Sequence, residues 1–109
     1  MYNAVTDEVR FPGAGGPIQA WVSRPRDAGR YPAIILLHGR NGVGDSFKDV
    51  GVRFAEEGVI GLAVNYFTYS MEVSNPDILR TIEGARDFVG AQEYVRADQV
   101  VVKIGRAHV

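Results

Sequence analysis

Residues 38 to 46 read His38-Gly39-Arg40-Asn41-Gly42-Val43-Gly44-Asp45-Ser46. Gly39, Gly42 and Gly44 permit backbone conformations closed to other residues and let a ligand approach main-chain N–H groups. Three chemistries use a turn of this kind. The first is phosphate binding. Gly39 and Gly44 are spaced as in G-x-x-x-x-G-K-[ST], with Ser46 at the last position, but Asp45 puts a negative charge where the lysine would meet the phosphates. The second is dinucleotide binding, which calls for G-x-G-x-x-G; the glycines here run G-x-x-G-x-G, and no early strand-glycine turn opens the chain. The third is acyl transfer, in which a turn after a strand offers a backbone N–H to a developing oxyanion. Against all three stands a plain strand-to-helix connection that binds nothing.

The elements around the turn decide what it can reach. Ala33 to Leu37 is an unbroken apolar run, the pattern of a strand buried on both faces of a sheet. Ser46 to Glu57 follows with Phe47, Val50, Phe54 and Ala55 on one helical face. Ser46 and Asp49 resemble a capping box, and Gly58 stands where a C′ glycine closes the helix. Val59 to Tyr66 is a second apolar run, which makes a right-handed βαβ unit. Tyr66, Phe67 and Tyr69 follow its carboxyl end, on the same sheet edge as the glycine turn. They either wall a pocket or pack on the domain's own core.

Upstream, residues 5–11 and 18–23 are short extended runs separated by Pro12-Gly13-Ala14-Gly15-Gly16-Pro17, an antiparallel hairpin at a sheet edge. Trp21 anchors the second run as a packing residue, and the arginines of the connection from Arg24 to Pro32 are expected in solvent. Downstream, Asn75-Pro76-Asp77 is a helix start, with Asn75 as the cap. Its buried face is Ile78, Ile82, Ala85 and Val89, and it is expected to run to about Tyr94. Gly84 and Gly90 either weaken this helix or permit close packing. Asp98 to Val102 begins a third buried strand. The predicted order is β-β-β-α-β-α-β, with parallel strands near 33–38, 59–65 and 98–104 and helices near 46–57 and 76–94.

Composition narrows the partners. The chain has 109 residues, a formal charge of −1 and no cysteine. That is one small domain or a piece of a larger one. It has no basic surplus for nucleic acid and cannot form disulfides or thiolate metal sites. No apolar run approaches the roughly 20 residues of a membrane span. The first residues lack the pattern of a signal peptide, so the expected compartment is the cytoplasm. Neither metal nor cofactor is expected.

These residues together resemble the dienelactone hydrolase branch of the α/β-hydrolases. The resemblance runs from about Val5 to Val102. It rests on the hairpin ending in Trp21-Val22-Ser23-Arg24-Pro25, on Pro32 to Gly42, on Arg53-Phe54-Ala55-Glu56-Glu57-Gly58 and on Ala97-Asp98-Gln99. It implies an α/β-hydrolase fold, an edge hairpin followed by βαβαβ with a mostly parallel sheet. It implies hydrolysis of a small ester or lactone by a nucleophile, a histidine and an acid. The Arg40 backbone N–H would be an oxyanion donor, and His38 would be structural. Gly39, Asn41, Tyr66, Phe67 and Tyr69 are the pocket candidates. In dienelactone hydrolases a Glu often follows the histidine; Gly39 here leaves a generic esterase-like hydrolase.

The family's nucleophile is expected in G-x-[CS]-x-G after the last strand. Aligned on Gly105, its place falls to Ala107, which has no nucleophilic atom. His108 is one residue from the end of the sequence. The expectation is therefore an N-terminal portion of a hydrolase, residues 1–102, lacking the nucleophile and the triad partners. Residues 103–109 would be a non-native tail, because Ile-Gly-Arg-Ala-His-Val is what a common sequencing adapter encodes. The alternative is a non-catalytic α/β module that binds a small ligand or partner through the turn at 39–44. With only two helices to cover apolar strands, exposed apolar area and an unpaired last strand are expected.

Overall fold

The computed structural model describes residues 1–39, 44–69 and 72–104. It is a mixed five-stranded sheet with two helices. The elements are β1 (Ala4–Gly13), β2 (Gly16–Pro25), β3 (Tyr31–Leu37), α1 (Asp45–Glu56), β4 (Ile60–Val64), α2 (Asn75–Gly90) and β5 (Val95–Ile104). Their spatial order is β1-β2-β4-β3-β5. β1 pairs antiparallel with β2, and β2 antiparallel with β4, whereas β3 pairs parallel with both β4 and β5. The predicted order, the edge hairpin and the parallel βαβαβ core are all present.

Strand alternation splits the apolar residues between two faces. Phe11, Ile18, Val22, Ile35, Leu37, Leu62 and Val64 form one core with Ala85 and Val89 of α2. Ser23 and Gly61 point the other way and meet Gly51 of α1. Ile34 and Leu36 share that second face and are also buried. The helices thus cover opposite sides of the sheet.

Several local details differ from the sequence reading. The hairpin strands reach through Pro12 and Pro17, leaving Ala14 and Gly15 as the turn. Ser46 is not a cap: α1 begins after Gly44, an extended residue with no side-chain cap bond. Asp45 pairs instead with Lys48 at 3.7 Å. Val50 is exposed, and Gly51 and Ala55 carry the buried stripe, because contact with Gly61 requires the smallest side of the helix to face the sheet. Gly58 does take the left-handed conformation, with φ +86°, that closes α1.

Ser74, not Asn75, caps α2, its hydroxyl accepting from the Asp77 N–H at 3.3 Å. Thr81 is buried on α2 beside Ala85 and Val89, while Ile78 and Ile82 are only partly covered. α2 stops at Gly90, short of Tyr94, because the Tyr31 N–H bonds to the Tyr94 carbonyl and β5 starts pairing at Val95. β5 is not a third buried strand. Among the described residues it pairs on one side only, and Val101 and Ile104 are more than half exposed. Trp21 is a half-buried packing residue with the Lys48 ammonium 4.7 Å from its ring centre. Arg24 does not stand free in solvent; its guanidinium lies 5.1 Å from the Tyr94 ring centre.

Candidate active site

β3 is the central strand of the parallel part, with β4 on one side and β5 on the other. Its carboxyl end carries His38 and Gly39 into the glycine turn. The segment after β4 leaves at the same edge, because β3 and β4 run parallel from Ala33↔Ile60 to Leu37↔Val64. The turn of the β1-β2 hairpin arrives there too, since Ala20 of β2 pairs with Val64. Clefts at the carboxyl ends of strands are where open α/β sheets bind ligands.

His38 is fully buried. Its ring stacks on Tyr66 with centroids 4.0 Å apart and planes 3° apart. Phe67 meets it edge-on at 4.4 Å and Phe47 of α1 at 5.9 Å. Nδ1 donates to the Gly39 carbonyl at 2.8 Å, which fixes the tautomer: the proton is on Nδ1 and Nε2 is bare. Nε2 is buried without a hydrogen-bond partner among the described residues. Burial pushes the His38 pKa below its ordinary value, opposed by the Gly39 carbonyl and the nearby Asn65 side chain. The imidazole is thus enclosed by Tyr66, Phe67 and Phe47.

The predicted pocket residues separate into two groups. Gly39 and Phe67 belong to the His38 cage. Tyr66 belongs to it as well, donating its hydroxyl to the His38 carbonyl at 2.8 Å. Burial raises the Tyr66 pKa, so this hydroxyl stays a donor. Tyr69 lies apart: it is exposed, covers Gly15 and Gly16 of the hairpin turn, and donates to the Pro17 carbonyl. Tyr66 and Tyr69 nevertheless share the wall of a cavity of about 120 Å³ with Ala14, Val73 and Thr81. Arg40 and Asn41 lie outside the described residues, as do residues 105–109 with His108.

Asn65 organises this edge, and the sequence reading passed over it. Its Oδ1 accepts from the Phe67 N–H at 3.1 Å and its Nδ2 donates to Gln19 Oε1 at 3.1 Å. The Thr68 hydroxyl in turn accepts from the Gln19 N–H at 3.2 Å. An asparagine directly after an apolar strand was the available signal, since its side chain mimics a turn of backbone.

Known structures share this fold over nearly the whole chain. A Klebsiella pneumoniae protein assigned as a dienelactone hydrolase superposes with a TM-score of 0.79 at 18% identity, over 93% of this chain and 49% of its own. An esterase from Pyrobaculum calidifontis gives 0.76 at 28% identity, over 92% of this chain and 35% of its own. The fold is that of the α/β-hydrolases. A thermostable carboxylesterase, EstE1, from a metagenomic library also has it, with a TM-score of 0.74 at 23% identity over 92% of this chain and 36% of its own. The chain thus spans less than half the length of the hydrolases it matches. No family model and no curated protein matches the sequence. Among the described residues, no helix is long and apolar enough to cross a membrane.

Proposed function

We propose that this chain is part of an ester or lactone hydrolase of the dienelactone hydrolase type. The observation that supports this most is the superposition of 92–93% of the chain on a dienelactone hydrolase and esterases, with the His38-Gly39 turn at the open carboxyl edge. In this reading the turn supplies one oxyanion donor, the Arg40 backbone N–H. It would stabilise the negative charge that forms on the carbonyl oxygen when a nucleophile adds. In the same reading a small ester or lactone would lie at the sheet edge that carries Gly39, Tyr66, Phe67 and Tyr69, and Asn41 is the remaining pocket candidate. Residues 1–102 form part of the hydrolase domain. The nucleophile, the acid and the catalytic histidine come from sequence outside them, and residues 103–109 are foreign to the enzyme.

The gene downstream of codon 102 is the test. A native reading frame encoding G-x-[CS]-x-G, then Asp, then His, should give an extended protein that hydrolyses p-nitrophenyl acetate. Arg40→Pro removes the assigned N–H and should lower kcat by about 10²–10³, the usual effect of losing one oxyanion donor. The 109-residue chain should not exceed a buffer blank. Saturable turnover by it, abolished by His108→Ala, would overturn the assignment. So would an extended protein that carries the triad yet keeps full kcat with Arg40→Pro. A native stop codon near 102 would favour the non-catalytic module.

A further inference from the structure

Tyr66 was a candidate for the pocket wall, yet its strongest contacts point inward, to a single residue. The hydroxyl donates to the His38 carbonyl at 2.8 Å, and the ring lies flat on the His38 imidazole at 4.0 Å and 3°. Each contact controls a different peptide plane. The His38 carbonyl and the Gly39 N–H belong to one planar trans peptide, so fixing the carbonyl direction fixes the N–H antiparallel to it. The Gly39 carbonyl begins the next plane and is held by His38 Nδ1 at 2.8 Å. Nδ1 can aim there only while the imidazole keeps its angle, and the stacked Tyr66 ring sets that angle. The residue that follows Gly39 in the sequence, Arg40, carries the N–H proposed above as the oxyanion donor.

We propose that Tyr66 is a positioning residue for the oxyanion turn, acting through both the carbonyl and the imidazole of His38. This rests on the hydrolase reading of the turn. A tyrosine that only filled the core would have no use for its hydroxyl. Here the hydroxyl is spent on the last carbonyl before Gly39, across from the neighbouring strand. A tyrosine that only walled a pocket would have no need to stack on a neighbour; Tyr66 borders the small cavity and also lies with one ring face flat on His38. Phe67 and Phe47 close the other sides of the imidazole. Tyr66 is therefore the group in the cage that grips both the ring and the backbone of His38.

The sequence provides a clean probe. Of the two histidines, only His38 precedes a glycine. Labelling with [¹³C′]histidine and [¹⁵N]glycine therefore gives one cross-peak, for the His38–Gly39 peptide. Tyr66→Phe keeps the stacked ring and removes the hydroxyl. It should shift that cross-peak while the His38 ring ¹⁵N resonances stay those of the Nδ1–H tautomer. Tyr66→Leu removes both contacts and should also move the ring resonances toward averaged tautomers. Ile35 and Leu62 amides, followed in a second sample, report on the sheet. An unchanged His38–Gly39 peak in Tyr66→Phe would overturn the proposal, as would equal shifts at Ile35 and Leu62, the mark of a general packing role. No substrate is involved, so failure here leaves the hydrolase reading standing, and failure of that reading leaves these resonances where they are.

Discussion

Replacing Gly84 by alanine separates helix propensity from helix packing, because the two predict opposite signs. Gly84 lies inside α2, where alanine is favoured by about 1 kcal/mol in an isolated helix. In the fold, a Cβ at residue 84 would stand 2.1 Å from the Pro12 carbonyl oxygen and 3.3 Å from Phe11 Cδ1. Contacts below 3.0 Å do not persist, so α2 and β1 must part by the difference, about 0.9 Å. The obstacle is backbone, and it cannot rotate aside as a side chain would. Parting them also loosens Phe11 from Phe88, whose rings stack at 5.9 Å. Overpacking of a core costs about 1–3 kcal/mol, and a backbone collision belongs at the upper end. Subtracting the propensity gain leaves a net loss of about 2 kcal/mol. For a domain of this size that lowers Tm by roughly 8–16 °C, at about 4–8 °C per kcal/mol. Gly90→Ala is the control: its Cβ would meet only the Ala97 Cβ at 3.9 Å, an ordinary contact. It should be neutral or gain up to about 1 kcal/mol. Thermal and urea unfolding at low chain concentration measure both. A Gly84→Ala chain as stable as the wild type, or more so, would refute the close approach of α2 to β1.

Gly61→Ala should destabilise by about 1–3 kcal/mol, because its Cβ would stand 2.7 Å from Gly51 Cα; a urea midpoint equal to wild type would show that α1 does not lie that close. His38 should make stability pH-dependent. Its folded pKa is lowered, so the unfolded state binds the proton first; stability is complete above the ordinary value of 6.5 and is lost as pH falls through it, by up to about 1.4 kcal/mol per unit. Urea midpoints from pH 8 to 5 should show this slope and lose it in His38→Gln, and a slope unchanged in that variant would place its origin elsewhere. Among the described residues β5 pairs on one edge only and Val101 and Ile104 are exposed, so the 109-residue chain should associate or precipitate as concentration rises, and Val101→Lys should relieve it. A monodisperse wild-type monomer with a sharp cooperative transition, by light scattering and calorimetry, would contradict this.

What was legible in the sequence is what depends on runs and punctuation. Ala33 to Leu37 and Ile60 to Val64 are continuous apolar stretches, and both are buried strands. Gly58 closes α1 as its position demands. The errors share a cause: each depends on which neighbour is present. Val101 and Val102 are as apolar as Ile34 and Ile35, yet among the described residues β5 has a strand on one side only and Val101 is more than half exposed, so apolar character did not translate into burial. Val50 fits a helical stripe with Phe47 and Phe54 by period alone. The sheet selected the adjacent stripe, Gly51 and Ala55, because only a glycine-to-glycine contact lets α1 reach β4. Period counts apolar side chains, and it cannot see that the closest packing is made where side chains are missing.

The site was legible to the same degree and failed for a related reason. His38-Gly39 after a buried strand does stand at the carboxyl edge of the sheet, because the end of a central parallel strand can go nowhere else. The aromatics after β4 were placed at that edge correctly as well. What composition could not divide was their labour, since Tyr66, Phe67 and Tyr69 are nearly equivalent as residue types. The division follows from sheet order. β4 lies directly beside β3, so the first residues past Val64 are carried against His38. Asn65 then turns the chain, its Oδ1 taking the Phe67 N–H, and by Tyr69 the path has reached the hairpin and the Pro17 carbonyl. Two residues of one short segment thus serve different partners, one the backbone of the glycine turn and the other the edge hairpin. The distance of each from the end of β4 decides which.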